Sequence, residues 1–173
     1  SIEDMGASNK VYIDNIELVS SAVVTFAGDG VELVATSDDR DFTTWGNVNW
    51  VGYSGGTVAD GTGKLECTMD ASGDSGAYLP AANINISDGN EKWFIIVLDL
   101  WQGTTTKTIA NVSFGGTTNY KQVTFDGVQT TYTVKIQSDL DAPHLRVVIP
   151  NSDSGTFFID NISVQKLHDF EVG

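Results

Sequence analysis

The sequence is poor in cysteine, histidine and positive charge. Its 173 residues include one cysteine, two histidines and nine lysines and arginines, against 23 aspartates and glutamates, and the formal net charge is −14. Binding to nucleic acid or to an anionic membrane depends on clustered cations that displace counterions. No run of apolar residues approaches the ~20 that a membrane-spanning helix requires. We therefore expect neither nucleic acid nor a membrane as a partner.

The scarcity of histidine and cysteine also limits the chemistry. Cys67 is alone, so no disulfide forms within the chain, and its alternation with polar neighbours predicts a buried thiol. His144 and His168 make no metal-ligand motif, and no nucleophile-elbow sequence accompanies them. A chain this acidic could supply the pair of carboxylates that glycoside hydrolysis uses, and this alternative is kept. A glycosidase cleft, however, usually needs more chain than this, so we predict that the protein is not an enzyme.

Short strands and tight turns are abundant. The sequence has 18 glycines, apolar and polar residues alternate repeatedly, and no segment keeps a helical period. This pattern predicts an all-β fold, a two-sheet antiparallel β-sandwich or jelly roll, with a short helical turn within 38–50. The predicted strands cover residues 10–19, 22–26, 31–37, 64–70, 76–79, 92–101, 107–114, 120–126, 130–137, 144–149 and 156–165.

One strand motif occurs twice. Val11–Leu18, VYIDNIEL, is nearly repeated by Phe157–Val164, FFIDNISV. The copies lie about one domain length apart, which is too far for a solenoid repeat and favours tandem modules. The alternative is two unrelated strands of one sheet that have similar sequences.

The second copy, Phe157–Val164, resembles the closing strand of carbohydrate-binding modules of families 4, 9, 16 and 22. His168–Gly173, HDFEVG, resembles the motif with which such modules open. The resemblance implies that 1–19 is the tail strand of a preceding module or a linker. Residues 20–167 would then form a β-sandwich carbohydrate-binding module, and 168–173 would start a following module or linker.

The resemblance also implies a function. Such modules bind a polysaccharide or oligosaccharide without catalysis and direct covalently linked neighbouring domains, an enzyme or a surface protein, to that glycan. A secreted or cell-surface location, in bacteria, is implied as well. The negative net charge favours a neutral β-glucan or a xylan over an anionic glycan. A non-binding spacer or adhesin sandwich in a tandem array is the alternative.

Aromatic side chains on a rigid surface suit the apolar faces of sugar rings. Alternation along 93–101 turns Phe94, Ile96, Leu98 and Leu100 towards a core and sets Asp99 beside Trp101 on the opposite face. Arg146 either donates hydrogen bonds to sugar hydroxyls or a uronate, or pairs with Asp99 or another carboxylate. In the resembled modules one tryptophan near 45–53 usually packs in the core. The candidate carbohydrate-binding residues are Trp45, Trp50, Tyr53, Asp99, Trp101, Tyr120, His144 and Arg146.

A structural Ca²⁺ is a further implication of the resemblance. Modules of this kind often hold the ion with a glutamate of the opening motif and the aspartate of the closing motif, which points to Asp160. The opening of the complete module, Thr25–Glu32, lacks the Phe-Glu pair. Asp29 and Glu32 are the nearest substitutes. The sequence has no EF-hand loop.

Overall fold

The computed structural model describes residues 30–116 and 118–167, together with the backbones of two short strands nearer the N-terminus. Those strands, β1 (Ile2–Asp4) and β2 (Val11–Ile13), pair antiparallel with each other. Ten further strands follow within the described residues. They are β3 (Val51–Tyr53), β4 (Thr57–Asp60), β5 (Leu65–Thr68), β6 (Ser75–Leu79), β7 (Trp93–Gln102), β8 (Ile109–Gly115), β9 (Tyr120–Thr124), β10 (Thr130–Gln137), β11 (His144–Ile149) and β12 (Thr156–Lys166).

These ten strands form two antiparallel sheets, which confirms the predicted β-sandwich. Sheet A has the order β10-β7-β12-β5-β4, and sheet B has the order β3-β6-β11-β8-β9. Helical structure in the described residues is limited to α1 (Asp38–Asp41) and two single turns of 3₁₀ helix, Trp45–Asn47 and Ala81–Asn83. The first two confirm the helical turn predicted within 38–50. No helix in this part of the chain is long and apolar enough to cross a membrane.

The core lies between the sheets and follows the alternation of their strands. In β7, Phe94, Ile96, Leu98 and Leu100 are each at most 1% exposed, as predicted. The ring of Phe94 meets that of Phe114 from sheet B with 4.6 Å between centroids, which joins the two layers. The Cys67 thiol is buried, as its sequence context predicts, and burial raises its pKa well above the usual value.

Eight predicted strands, from 64–70 onward, are confirmed as β5 to β12. The sequence pattern missed β3 and β4, because these short edge strands are largely exposed and show no apolar alternation. The predicted strand 22–26 lies outside the described residues, as does 10–19 apart from β2. The strand predicted at 31–37 is wrong, because this segment contributes one isolated bridge, from Val34 to Ile84.

A carboxylate explains why 31–37 is not a strand. β5 pairs with β12 only as far as Ile159, so the later backbone of β12 needs other partners. Leu33 N donates to Val164 O at 2.9 Å, while Glu32 Oε1 accepts from Val34 N at 2.9 Å and from Val164 N at 3.0 Å. The side chain of Glu32 therefore takes the place that a carbonyl oxygen would hold in a regular sheet.

The Ile-Asp-Asn-Ile motif of β12 lies at a β-bulge. Asp160 pairs with Asp99 of β7, but Ser163 pairs with Val97, so β12 has one more residue here than its partner. Asn161 takes the left-handed conformation, with φ of 49°, which asparagine tolerates better than most residues. The bulge explains why two consecutive residues, Asp160 and Asn161, lie outside the core between the buried Ile159 and Ile162.

Candidate functional site

Two rows of side chains cross the outer face of sheet B. The strand register places Val51, Tyr78, Arg146, Ser113 and Tyr120 in one row. It places Tyr53, Gly76, Val148, Asn111 and Gln122 in the other. Neighbouring strands are about 4.8 Å apart, so each row spans about 19 Å from β3 to β9. That length is sufficient for several sugar rings.

A groove of about 290 Å³ lies on this face. Tyr53 stands on the edge strand β3, and Tyr120, which is 44% exposed, stands on the opposite edge strand β9. Between them the floor is mostly polar. The groove is lined by Tyr53, Asp74, Asn111, Ser113, Tyr120, Gln122, Arg146, Val148, Pro150 and Asn151.

Arg146 is bonded to the turn between β8 and β9. Its Nη1 donates to the carbonyl oxygens of Gly115 and Gly116. Asp139 holds the same turn by accepting hydrogen bonds from Gly116 N and Thr118 Oγ1. Gly115 has a φ of 135°, and a Cβ there would collide with the Asp139 carboxylate. The turn therefore requires glycine at this position, and it supports the strand that presents Tyr120.

The two charges of the groove lie on opposite sides of it, one towards each end of the strands that it crosses. Asp74 precedes Ser75, the register partner of Ile149, so it lies beside Pro150. Its Oδ1 accepts a hydrogen bond from Asn151 N at 2.9 Å. Four residues of extended strand separate Arg146 from Pro150, which amounts to about 13 Å. One side of the groove is therefore cationic and the other anionic.

A line of aromatic contacts on the outer face of sheet B packs against Tyr53. Its ring meets Tyr78 edge-on with 6.4 Å between centroids, and Tyr78 meets His144 at 5.8 Å. His144 Nδ1 accepts a hydrogen bond from Ala81 N at 3.3 Å. Burial and then the charge of Arg146 lower the pKa of His144, so the ring is neutral at neutral pH. His144 thus supports the groove and does not line it.

Asn111 has an unusual position in the floor. Its Oδ1 is buried and has no hydrogen-bond partner among the residues that the structure describes. Alternation along β8 turns Asn111 and Ser113 outward, so sequence reasoning had a signal for both and missed it. Alternation along β6 gives the same signal for Tyr78. For Asp74 and Asn151, which lie in turns, no such signal exists.

The predicted candidates Asp99 and Trp101 lie on sheet A and not in the groove. Asp99 is 7% exposed and accepts hydrogen bonds from Gln129 and Asn161, each at 2.8 Å, and from Thr131. Burial favours a higher pKa for Asp99, but the three hydrogen bonds outweigh it and lower the pKa. The suggested pairing of Asp99 with Arg146 is wrong, because the two residues belong to different sheets.

Trp101 packs against other side chains of sheet A. The centroid of its ring lies 5.4 Å from the centroid of the Phe158 ring. Lys64 Nζ is positioned over both rings, 4.7 Å from the centroid of Phe158 and 5.7 Å from that of Trp101. This side chain therefore has partners within the protein and is separate from the groove.

Of the three aromatic residues at 45–53, only Tyr53 lines the groove. Trp50 is 4% exposed, and its Nε1 donates to Asp39 O at 2.9 Å. The ring of Trp50 meets Phe42 edge-on at 6.4 Å. Trp50 is thus a core residue and not an exposed stacking surface, which corrects its selection as a candidate. Trp45 is half-buried against the core.

The proposed calcium ligands do not assemble into a site by themselves. Asp160 Oδ1 accepts from Asn161 N at 2.8 Å, and Glu32 Oε1 is occupied by two backbone donors. Glu32 Oε2 lies 4.0 Å from Arg40 Nη1. Within residues 30–116 and 118–167 no three carboxylate, histidine or cysteine side chains gather as metal ligands. Asp29 lies outside the described residues, and the calcium site stays a prediction.

The sandwich is similar to solved structures of carbohydrate-active proteins. An arabinose-bound GH51 α-L-arabinofuranosidase matches over 80% of this chain and 27% of its own, with a TM-score of 0.60 and 13% identity. The family 11 carbohydrate-binding module of Lic26A-Cel5E from Clostridium thermocellum matches over 76% of this chain and 95% of its own, with a TM-score of 0.51 and 18% identity. The CBM22-1 xylan-binding domain of Xyn10C from Paenibacillus barcinonensis matches over 75% of this chain and 93% of its own, with a TM-score of 0.51 and 9% identity. Carbohydrate-binding modules share this fold.

No family model matches the sequence, and neither does any curated protein. The chain spans 27% of the arabinofuranosidase but nearly the whole of the two binding modules. At identities of 9–18% the likeness establishes the fold and does not establish the ligand. The fold implied by the closing strand Phe157–Val164 is therefore confirmed.

Proposed function

We propose that this protein is a non-catalytic polysaccharide-binding module and that a glycan chain lies in the groove on sheet B. The observation that carries the proposal is the placement of Tyr53 and Tyr120 on opposite edge strands, with a polar floor between them. A sugar chain presents apolar ring faces and many hydroxyl groups. This surface offers a partner for each.

The mechanism is stacking combined with hydrogen bonding on a rigid surface. The tyrosine rings contact the C–H faces of sugars, as flat aromatic groups do at low cost in conformational entropy. Arg146 donates to hydroxyl oxygens, Asp74 accepts from hydroxyl groups, and Gln122 can do both. Because Tyr53, Tyr120, Arg146 and Gln122 stand on paired strands, little ordering of these side chains is required when the ligand binds.

A β-glucan or a xylan is the proposed ligand. The groove is lined by residues of β3, β8, β9 and β11 and extends between the two edges of sheet B, which suits an internal stretch of a long chain. One of the similar structures is a xylan-binding domain. We further propose that the module acts outside the cell and keeps covalently linked domains near their polysaccharide, which raises the effective concentration of that substrate.

Affinity electrophoresis on laminarin, mixed-linkage β-glucan and xylan tests the proposal. We expect retardation on at least one polymer, with Kd then measured by calorimetry on a matching oligosaccharide. Tyr53→Ala and Tyr120→Ala should each weaken binding about tenfold, since each removes one stacked ring. Trp101→Ala is the control, because it removes an aromatic residue of the other sheet and should leave Kd unchanged.

A folded protein that is not retarded by any polymer would contradict the proposal and favour a spacer module. Equal losses for Tyr120→Ala and Trp101→Ala would also contradict it, because they would move the site away from sheet B. Circular dichroism and thermal melting of each variant establish that it is folded before its affinity is compared.

A further inference from the structure

The geometry points to a glycan that carries carboxylate groups: the Arg146 side of the groove binds a uronic acid substituent, while the Asp74 side binds hydroxyl groups. This inference rests on the proposed function and specifies the class of glycan that the groove binds. It differs from the neutral ligand that the net charge alone favours, because it depends on where the charges of the groove lie.

The hydrogen bonds of Arg146 leave its carboxylate-binding donors available. Both acceptors on the turn, the carbonyl oxygens of Gly115 and Gly116, are reached by Nη1. The donors on Nε and Nη2 are the pair that holds a carboxylate through two parallel hydrogen bonds. A sugar hydroxyl fills one such position, whereas a carboxylate fills both.

The charge of Arg146 is not neutralised by its own partners. Carbonyl oxygens accept its hydrogen bonds but carry no net charge, and no carboxylate in the described part of the chain forms an ion pair with it. Asp139 lies behind the same turn and is engaged by Gly116 N and Thr118 Oγ1. The neighbouring His144 is neutral at neutral pH, because its pKa is lowered.

Distance separates Arg146 from the acid of the groove. Asp74 lies about 13 Å away along the strand direction, which exceeds the screening length of about 8 Å at physiological ionic strength. The same screening limits the repulsion that the net charge of −14 exerts on an acidic glycan. The charges nearest to this part of the groove are therefore the guanidinium group itself and the Asp139 carboxylate on the same turn.

Glucuronoxylan and the same polymer after chemical reduction of its carboxyl groups provide a matched pair of ligands. They share one backbone and differ in charge. By calorimetry at physiological ionic strength, on size-matched oligosaccharides, we expect about tenfold tighter binding to the acidic form. Raising the salt concentration should weaken binding of the acidic form and leave that of the reduced form unchanged.

Variants assign the effect to one residue. Arg146→Gln should remove the preference for the acidic form while binding of the reduced form persists, and Arg146→Lys should retain part of it. Asp74→Asn changes the groove by one charge and keeps the acceptor for Asn151, so it should leave the ratio of the two affinities within about twofold. Melting temperatures report whether the turn at Gly115 survives in the Arg146 variants.

Equal affinity for the two polymers, or tighter binding of the reduced one, overturns the inference and leaves the proposed function intact. The same holds if the protein binds a glucan but neither form of the xylan. If Asp74→Asn changes the ratio of the two affinities as much as Arg146→Gln does, the inference is also overturned. The total charge of the groove, and not Arg146, would then govern binding. Failure to bind any glycan overturns both the inference and the proposed function.

Discussion

Asp160 and Asp99 are register partners across β12 and β7, yet their surroundings shift the pKa values of the two carboxyl groups in opposite directions. Three side-chain hydrogen bonds hold the carboxylate of Asp99 and lower its pKa. Burial raises the pKa of Asp160, and the charges of Asp99 and Asp41 raise it further, although the Asn161 backbone bond opposes them. The fold thus stabilises one negative charge at this bulge and resists a second.

Neutralising these two carboxylates should have opposite effects on stability. Asp160→Asn keeps the acceptor for Asn161 N and removes the repulsion, so at pH 7 without metal the melting temperature should rise by roughly 1–3 °C. Asp99→Asn places an amide against three donors and should lower the melting temperature by roughly 4–8 °C. Thermal melts of both variants in EDTA measure the two shifts, and shifts of the same sign would contradict this account.

The pH dependence of the Asp160 effect follows from the direction of its pKa shift. An acid whose pKa is raised in the folded state lowers stability once it ionises there, so its penalty is absent below the unfolded pKa of about 3.9 and grows as the pH rises. The advantage of Asp160→Asn should therefore vanish in melts near pH 3. An advantage that persists at pH 3 would mean that charge is not its cause.

Calcium removal tests whether Asp160 is a ligand. If a Ca²⁺ ion is bound at Asp160, EDTA should lower the melting temperature by about 5 °C, since the folded state alone binds the ion. Asp160→Asn should then melt at one temperature with and without EDTA. A wild-type melt that EDTA leaves unchanged rules out the calcium site, and Mg²⁺ added in place of Ca²⁺ controls for general ionic effects.

Asp153 should link stability to acidic pH. Burial favours a higher pKa, but hydrogen bonds from Thr106, Thr105 and Gly155 lower it to about 2. A lowered pKa contributes stability above the unfolded value of about 3.9, and this contribution is lost as the pH falls towards 2. Asp153→Ala should thus melt below the wild type at pH 7, and the difference should close near pH 2. A constant difference across this range would contradict the assignment.

Gly115 should be essential for the groove. Alanine there would combine a φ of 135° with a collision against Asp139, and strain of this kind costs about 1–3 kcal/mol. We expect Gly115→Ala to melt at least about 4 °C lower and to bind glycan more weakly than the wild type. Gly73→Ala is the control, because a Cβ there meets nothing within 4 Å. A Gly115→Ala protein with unchanged affinity would show that the turn does not position Tyr120.

Local patterns predicted the faces of strands but not which sheet each strand joins. The alternation in β7 assigned Phe94 to the core face and Asp99 to the opposite face of the strand, and both assignments hold, although Asp99 is buried by its hydrogen-bond partners. Pairing between distant strands decides the rest. Asp99 belongs to sheet A and Arg146 to sheet B, so two candidates that the sequence allowed to meet lie on opposite sides of the protein.

Burial of aromatic residues depended on contacts that no local pattern reveals. Trp50 and Tyr53 lie three positions apart in one glycine-rich segment. Phe42 and the carbonyl of Asp39 bury the first, whereas the register of β3 with β6 places the second in the groove. Glu32 is a similar case, since Val164 N, the β12 donor that binds its carboxylate, is 132 residues further along the chain.

The separation of Arg146 from Asp74 gives the groove a direction. A polysaccharide chain has a direction, and turning it around within the plane of the groove exchanges the edge that faces Arg146 for the edge that faces Asp74. A bound chain would therefore run one way across sheet B. Any domain joined to this sandwich would meet every chain with the same polarity, as an enzyme that works from one end of its substrate requires.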